Sequence, residues 1–290
     1  MLRIHSHRIP GLAGGLAAGF ALAAFVVSGI SLLSTMPRPL ADLYLEVADA
    51  GLALAPDGSS LARIVRQGDD SLVELRRFDE RGVRRLAGTK GAKSPRFSPD
   101  GRYLGFLGSG MLRRASLDTF EVEEIAAVGD VEDACFREDG SVLMGSKAGL
   151  FLISRAGRTV ELLRARVRSL VAIRGSEWVV LEVRDENGAR LEAFSLASRS
   201  RRKLVPGASL PRFLPPGHLL FLRDSALWAS RFDPATAELI GGPAVMVPGV
   251  GWFDVAANGT LAFRRSGGPR PALRIVLHWD EELKRLDARE

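Results

Sequence analysis

Three charged residues share one place in a repeating sequence. Arg96, Arg212 and Asp254 each stand five positions before a glycine (Gly101, Gly217 and Gly259), and Ala53, Cys135 and Leu170 hold the matching place elsewhere. Charges set at such a position could hold an anionic ligand or the acidic tail of a partner, or could close on one another as internal ion pairs. The ion-pair reading is preferred, because structural pairs perturb charged groups as readily as functional sites do. Asp57, Asp100 and Asp139 are the next candidates, each directly before a glycine. A carboxylate ring for calcium or catalysis is one reading. The favoured one is local, since Asp in a tight turn accepts bonds from nearby backbone amides.

Further chemistry is sparse. The sequence has no Gly-x-Ser-x-Gly elbow, no Walker A loop and no His-Glu-x-x-His pair. Of its histidines, His5 and His7 precede a long apolar segment, which leaves His218 and His278 for the rest of the chain. The single cysteine, Cys135, lies between Ala134 and Phe136 and reads as a small buried hydrophobe. No residue set points to a catalytic centre, a cofactor or a metal ion. A binding module is therefore expected rather than an enzyme.

The elements that would position these residues follow from the repeat itself. Glycines 58, 101, 140, 175, 217 and 259 recur at intervals of 35 to 43 residues, the length of one four-stranded propeller blade. Asp-Gly or Asn-Gly supplies the positive φ of a tight turn at four of them, whereas Arg174-Gly175 and Pro216-Gly217 depart from the pattern. Four places before each glycine stands an apolar residue: Leu54, Phe97, Phe136, Val171, Phe213 and Val255. The spacing predicts strand, turn, strand. In the second repeat it predicts strands over 94–97, 102–107, 111–116 and near 122–127. An all-β, six-bladed β-propeller of four-stranded blades results, with 42–47 as the strand completing the last blade. A short helix is expected only at 280–286. Arg96, Arg212 and Asp254 would then face the central channel, and Trp228 and Trp252 would pack in the core or at blade edges.

The run Ser98-Pro99-Asp100-Gly101-Arg102-Tyr103-Leu104 resembles the repeat signature of TolB-like propellers. Residues 52–60, 93–106, 214–232, 255–263 and the tail 275–284 resemble, more narrowly, the propeller that follows the kinase domain and membrane helix of some bacterial serine/threonine kinases. The resemblance spans about 45–285 and implies the fold strongly and the function weakly. Only ten residues precede the apolar segment here, too few for a kinase domain.

That segment, 11–35, is uncharged and long enough to cross a bilayer. Arg3 and Arg8 before it favour an N-in orientation. Its length favours a retained anchor over a cleaved signal peptide. The expected organisation is a cytoplasmic N-terminus (1–10), a transmembrane signal anchor preceding the propeller (11–35), a linker (36–44) and the propeller (45–290). The chain would be a single-pass inner-membrane protein with the propeller on the periplasmic or extracytoplasmic side. The balance of 40 Lys+Arg against 34 Asp+Glu is basic, but acids are interleaved with the arginines everywhere except 199–203. This reads as a solvated surface, and no aromatic-laced basic face suggests nucleic acid. The expected function is a membrane-anchored propeller that meets a protein partner or small ligand at its funnel. The alternative is a hydrolase or lyase using channel residues.

Overall fold

The computed structural model describes residues 41–43, 51–80, 82–267 and 273–287. Within them the chain forms six antiparallel sheets of four strands each. A short strand β1 (Ala41–Leu43) comes first. Blade 1 is β2 (Leu52–Leu54), β3 (Ser60–Gln67), β4 (Asp70–Arg77) and β5 (Arg84–Arg85). Blade 2 is β6 (Lys93–Phe97), β7 (Tyr103–Gly108), β8 (Met111–Ser116) and β9 (Val122–Ala127). Blade 3 follows with β10 (Val131–Phe136), β11 (Val142–Ser146), β12 (Leu150–Ile153) and β13 (Thr159–Leu163). Blade 4 has β14 (Val167–Ala172), β15 (Trp178–Asp185), β16 (Gly188–Ser195) and β17 (Arg201–Pro206). Blade 5 is β18 (Ser209–Leu214), β19 (His218–Arg223), β20 (Ala226–Asp233) and β21 (Glu238–Pro248). Blade 6 takes β22 (Val250–Val255), β23 (Leu261–Arg265) and β24 (Leu273–Val276) from the C-terminal side. A helix, α1 (Asp280–Asp287), ends the described chain.

The fourth strand of blade 6 is β1, paired antiparallel to β24 with Ala41 opposite Ile275 and Leu43 opposite Leu273. The two ends of the propeller thus close the ring in one sheet, which leaves no gap between the first and last blades. The closing strand begins one residue earlier than the 42–47 segment expected and falls within the stretch read as linker. The proposed anchor, 11–35, lies outside the described residues. Among the described residues no helix is long and apolar enough to cross a membrane.

Packed apolar seams join blades 1 and 2, 2 and 3, 3 and 4, 4 and 5, and 6 and 1 among the described residues. Ala62, Ile64, Val73 and Leu75 of blade 1 meet Leu104, Phe106 and Ala115 of blade 2. Val180, Leu191, Ala193 and Val205 of blade 4 meet Leu219, Phe221 and Phe232 of blade 5. Strand alternation places these side chains on the sheet faces, so each blade is buried only by its neighbours. Trp252 packs against the seam between blades 6 and 1, and Trp228 is half-buried against the seam between blades 4 and 5, opposite Phe221 on the next strand, with the guanidinium of Arg223 3.8 Å from its ring centroid.

The turn aspartates are local, as expected from their neighbours. Asp57 Oδ1 accepts the Ser59 amide at 2.9 Å, Asp100 Oδ1 the Arg102 amide at 3.1 Å, and Asp139 Oδ1 the Ser141 amide at 3.0 Å. Gly58, Gly101, Gly140, Gly175 and Gly259 have positive φ, so Arg174-Gly175 keeps the turn without the aspartate. Gly217 does not share that conformation, and the Pro215–Pro216 bond before it is cis.

Two of the three arginines in the run 199–203 find acids across the sheets, and Arg199 donates to the Leu162 carbonyl. Arg201 pairs with Glu192 at 2.6 Å and Arg202 with Glu238. The surface is a lattice of cross-strand ion pairs, each exposed pair contributing little on its own.

Candidate functional site

The first strands of the blades, β2, β6, β10, β14, β18 and β22, stand side by side around the central channel. All six residues five places before the turn glycines line one cavity of about 570 Å³: Ala53, Arg96, Cys135, Leu170, Arg212 and Asp254. The cavity opens on the face that carries the turns between first and second strands, where Pro56, Pro99, Asp139 and Arg174 form part of its rim. His218 and His278 are not among its lining residues.

Local backbone irregularity aims the charged residues. Five of the six first strands carry a register shift just before this position, at Lys93/Arg96, Val131/Asp133, Val167/Ser169, Ser209/Arg212 and Val250/Trp252. Such a shift bends the strand and re-aims the side chains beyond it. Blades 2 and 5 do it identically in sequence, with Pro95-Arg96-Phe97 and Pro211-Arg212-Phe213. In both, the residue before proline adopts the left-handed region, Ser94 at φ 51° and Leu210 at φ 52°.

The two arginines lie three blades apart in a ring of six, and each starts a relay to the next two blades. Arg96 of blade 2 pairs with Asp133 of blade 3 at 3.0 Å. Asp133 in turn accepts the Ser169 hydroxyl at 3.0 Å and the Leu170 amide at 3.2 Å, both in blade 4. Arg212 of blade 5 donates its Nε to Asp254 of blade 6 at 2.6 Å. Asp254 accepts the Leu54 amide of blade 1 at 2.9 Å. The expected ion pair therefore exists between Arg212 and Asp254, while Arg96 pairs with Asp133. The sequence reading missed Asp133, because it lies seven places before its glycine rather than five, and no other repeat carries an acid there.

The hydrogen-bonding account is uneven. Both carboxylates are engaged by guanidinium and backbone N–H groups. Arg212 also donates Nη1 to the Pro211 carbonyl at 2.8 Å, but its buried Nη2 has no hydrogen-bond partner among the described residues. Its side chain is only 7% exposed. Burial and then the Arg96 charge pull the Arg212 pKa below the ordinary guanidinium value. For Arg96 burial acts the same way, but Asp133 and Asp254 outweigh it and hold its pKa above that value.

Cys135 lines the same cavity as a free thiol. Burial, then the charge of Asp133, pushes its pKa up to about 12. At pH 8 the native thiol will react with iodoacetamide about a thousandfold more slowly than in urea, because the thiolate is the nucleophile. The folded thiol keeps its proton to about 12 and the unfolded one loses it near 9. Its contribution to stability is thus present below pH 9 and is lost as pH climbs toward 12. Alkylation rates across pH 7–11 check this, and a native rate matching the unfolded one would refute it.

Solved structures share the architecture. The propeller domain of Cps50 (Swd1) from Myceliophteria thermophila aligns with a TM-score of 0.57 at 14% identity, over 80% of this chain and 88% of that one. A chain of a mitotic checkpoint complex gives 0.57 at 14%, over 93% and 99%. TolB from Acinetobacter baumannii gives 0.52 at 15%, over 78% of this chain and 54% of its own. At these identities the likeness is one of fold. No family model and no curated protein matches the sequence.

Proposed function

We propose that this chain is a membrane-anchored, extracytoplasmic propeller that works as an interaction and ligand-sensing module through its funnel face. The observation that carries the reading is the cavity itself, built by all six blades and holding a charged ring at its wall. Pockets of this size and mixed lining are the usual places for specific binding. The likeness to a propeller from a checkpoint complex supports a role in protein assembly, and the TolB-like repeat signature supports one in the cell envelope. The apolar segment 11–35 is read as the tether, single-pass in the inner membrane, with the propeller outside. By the narrower resemblance to kinase-borne propellers, the module would relay a signal through a separate partner.

Turnover is not proposed. The charged groups of the channel are engaged with one another, and the Cys135 thiol is held protonated. An enzyme reading using these residues would need one of them free to move a proton or attack.

Photo-crosslinking in cells tests the interaction. Benzoylphenylalanine in place of Arg174, on the funnel rim, is expected to capture a defined partner. The same label in place of Val160, exposed on the outer strand of blade 3, is expected to capture none. Equal patterns from both positions would overturn the reading. Protease protection until the outer envelope is opened, with the chain at full length, is the expected location result. Protection until the inner membrane is broken would place the propeller in the cytoplasm.

A further inference from the structure

We infer that the channel holds a small organic carboxylate with an apolar body, its charge seated at Arg212 and Arg96 and its body against Phe97, Val171 and Phe213. This rests on the funnel face being the binding face, and names the chemistry of what it binds.

Three observations converge on a monoanion. First, one buried donor is spare. Asp133 accepts bonds from Arg96, Ala134, Ser169 and Leu170, and Asp254 from Arg212 and Leu54, yet Arg212 Nη2 has no partner among the described residues. A buried unmade hydrogen bond is costly, and an incoming acceptor would relieve that cost. Second, the two arginines act on each other as like charges across the same cavity, which an anion between them would screen. Third, the four charges of the ring already balance, two arginines against two aspartates. Every added negative charge is then uncompensated, so a monoanion that satisfies the spare donor costs less there than a dianion such as phosphate.

The walls choose the rest of the molecule. Phe97, Val171 and Phe213 are half-buried on the cavity lining, one each from blades 2, 4 and 5. They present apolar surface on several sides of the arginines. Guanidinium forks match the planar carboxylate, and a short aliphatic or aryl body would cover the apolar wall. A volume of about 570 Å³ fits a compound of that size.

The test uses the purified full chain in detergent micelles and calorimetric titration with acetate, hexanoate and 4-phenylbutyrate, each beside its neutral amide. 4-Phenylbutyrate is expected to bind, at least tenfold tighter than acetate and tenfold tighter than its amide. Arg212→Gln and Arg96→Gln should each weaken it tenfold or more. Arg96 is the control for folding, since Asp133 keeps its bonds from Ser169 and Leu170 when Arg96 is changed. Near-UV circular dichroism confirms that each variant is folded. No saturation by any acid up to about 10 mM, equal binding of acid and amide, or tight binding kept in both variants would each overturn the inference. A partner captured at position 174 together with no acid binding would leave the interaction reading standing and sink this one alone.

Discussion

Asp254→Asn will destabilise the propeller by about 3 kcal/mol or more, although it changes no shape and keeps an acceptor for the Leu54 amide. The pair it breaks is buried on both sides, with Arg212 7% and Asp254 10% exposed, and joined by a 2.6 Å bond. Removing one charge leaves the Arg212 guanidinium desolvated, beside the like charge of Arg96, with Nη2 already unpartnered. For a domain of this size each kcal/mol moves the melting temperature by about 2–4 °C, so a fall near 10 °C is expected. Arg212→Met should cost a similar amount by stranding the carboxylate. The double variant, Arg212→Met with Asp254→Asn, is expected within about 1–2 kcal/mol of the parent, since a buried pair can be replaced by apolar and neutral groups at little net cost. Urea unfolding of all four proteins gives the coupling energy. Losses that simply add in the double variant would show that the two residues do not act as a pair.

The contrast with the surface pairs is one of solvent. Arg77 and Asp79 meet at 3.3 Å with both side chains more than half exposed, and water screens them. Arg212 and Asp254 join blade 5 to blade 6, and Asp254 joins blade 6 to blade 1 through the Leu54 amide. That relay crosses the place where the ring must close. The equivalent relay from Arg96 crosses blades 2, 3 and 4. Both ion pairs thus tie together inner strands that backbone hydrogen bonds do not connect, since each sheet ends at its own first strand.

Most of this architecture was legible in the sequence because it depends on local chemistry repeated six times. A glycine at positive φ, an aspartate bonding two residues on and an apolar residue four places earlier are all decided within a few residues. The shared position of Arg96, Arg212 and Asp254 came from the same register, and the cavity gathers all three. What escaped were relations made across blades. Asp133 carries no repeat signal, and its partners Arg96 and Leu170 belong to different sheets. The acid facing Arg201 lies nine residues back on the neighbouring strand, where only the strand pairing brings it close, and the acid facing Arg202 lies 36 residues on, in another blade. One signal was present and unread. Pro95-Arg96-Phe97 recurs as Pro211-Arg212-Phe213, and proline within a strand marks a bulge or an edge. Two such tripeptides three blades apart announce two re-aimed arginines on opposite sides of one channel.

Introducing proline at both Asp42 and Leu43 will lower the melting temperature by about 5–10 °C and expose the edge of the last blade. The last blade takes its fourth strand from β1, three residues paired with β24 in the register Ala41–Ile275, Asp42–Arg274 and Leu43–Leu273. In an antiparallel pair, adjacent residues alternate between hydrogen-bonded and non-bonded positions, so one of two consecutive prolines must delete a ladder bond. The fixed φ of proline also disfavours continuing the strand. Once β1 is released, β24 becomes an open edge, and Leu273 and Ile275, now buried, gain solvent. The loss is larger than three residues suggest, because β1 holds blade 6 to a segment distant in sequence and helps to close the ring. Hydrogen exchange should show the Leu273 and Ile275 amides losing protection first, with blades 3 and 4 unaffected until global unfolding. The same two prolines at Val83 and Arg84, by the two-residue outer strand of blade 1, should cost far less, because that strand closes nothing. Equal losses at the two sites, or an unchanged melting temperature after the first, would mean that the six blades hold together through their apolar seams alone.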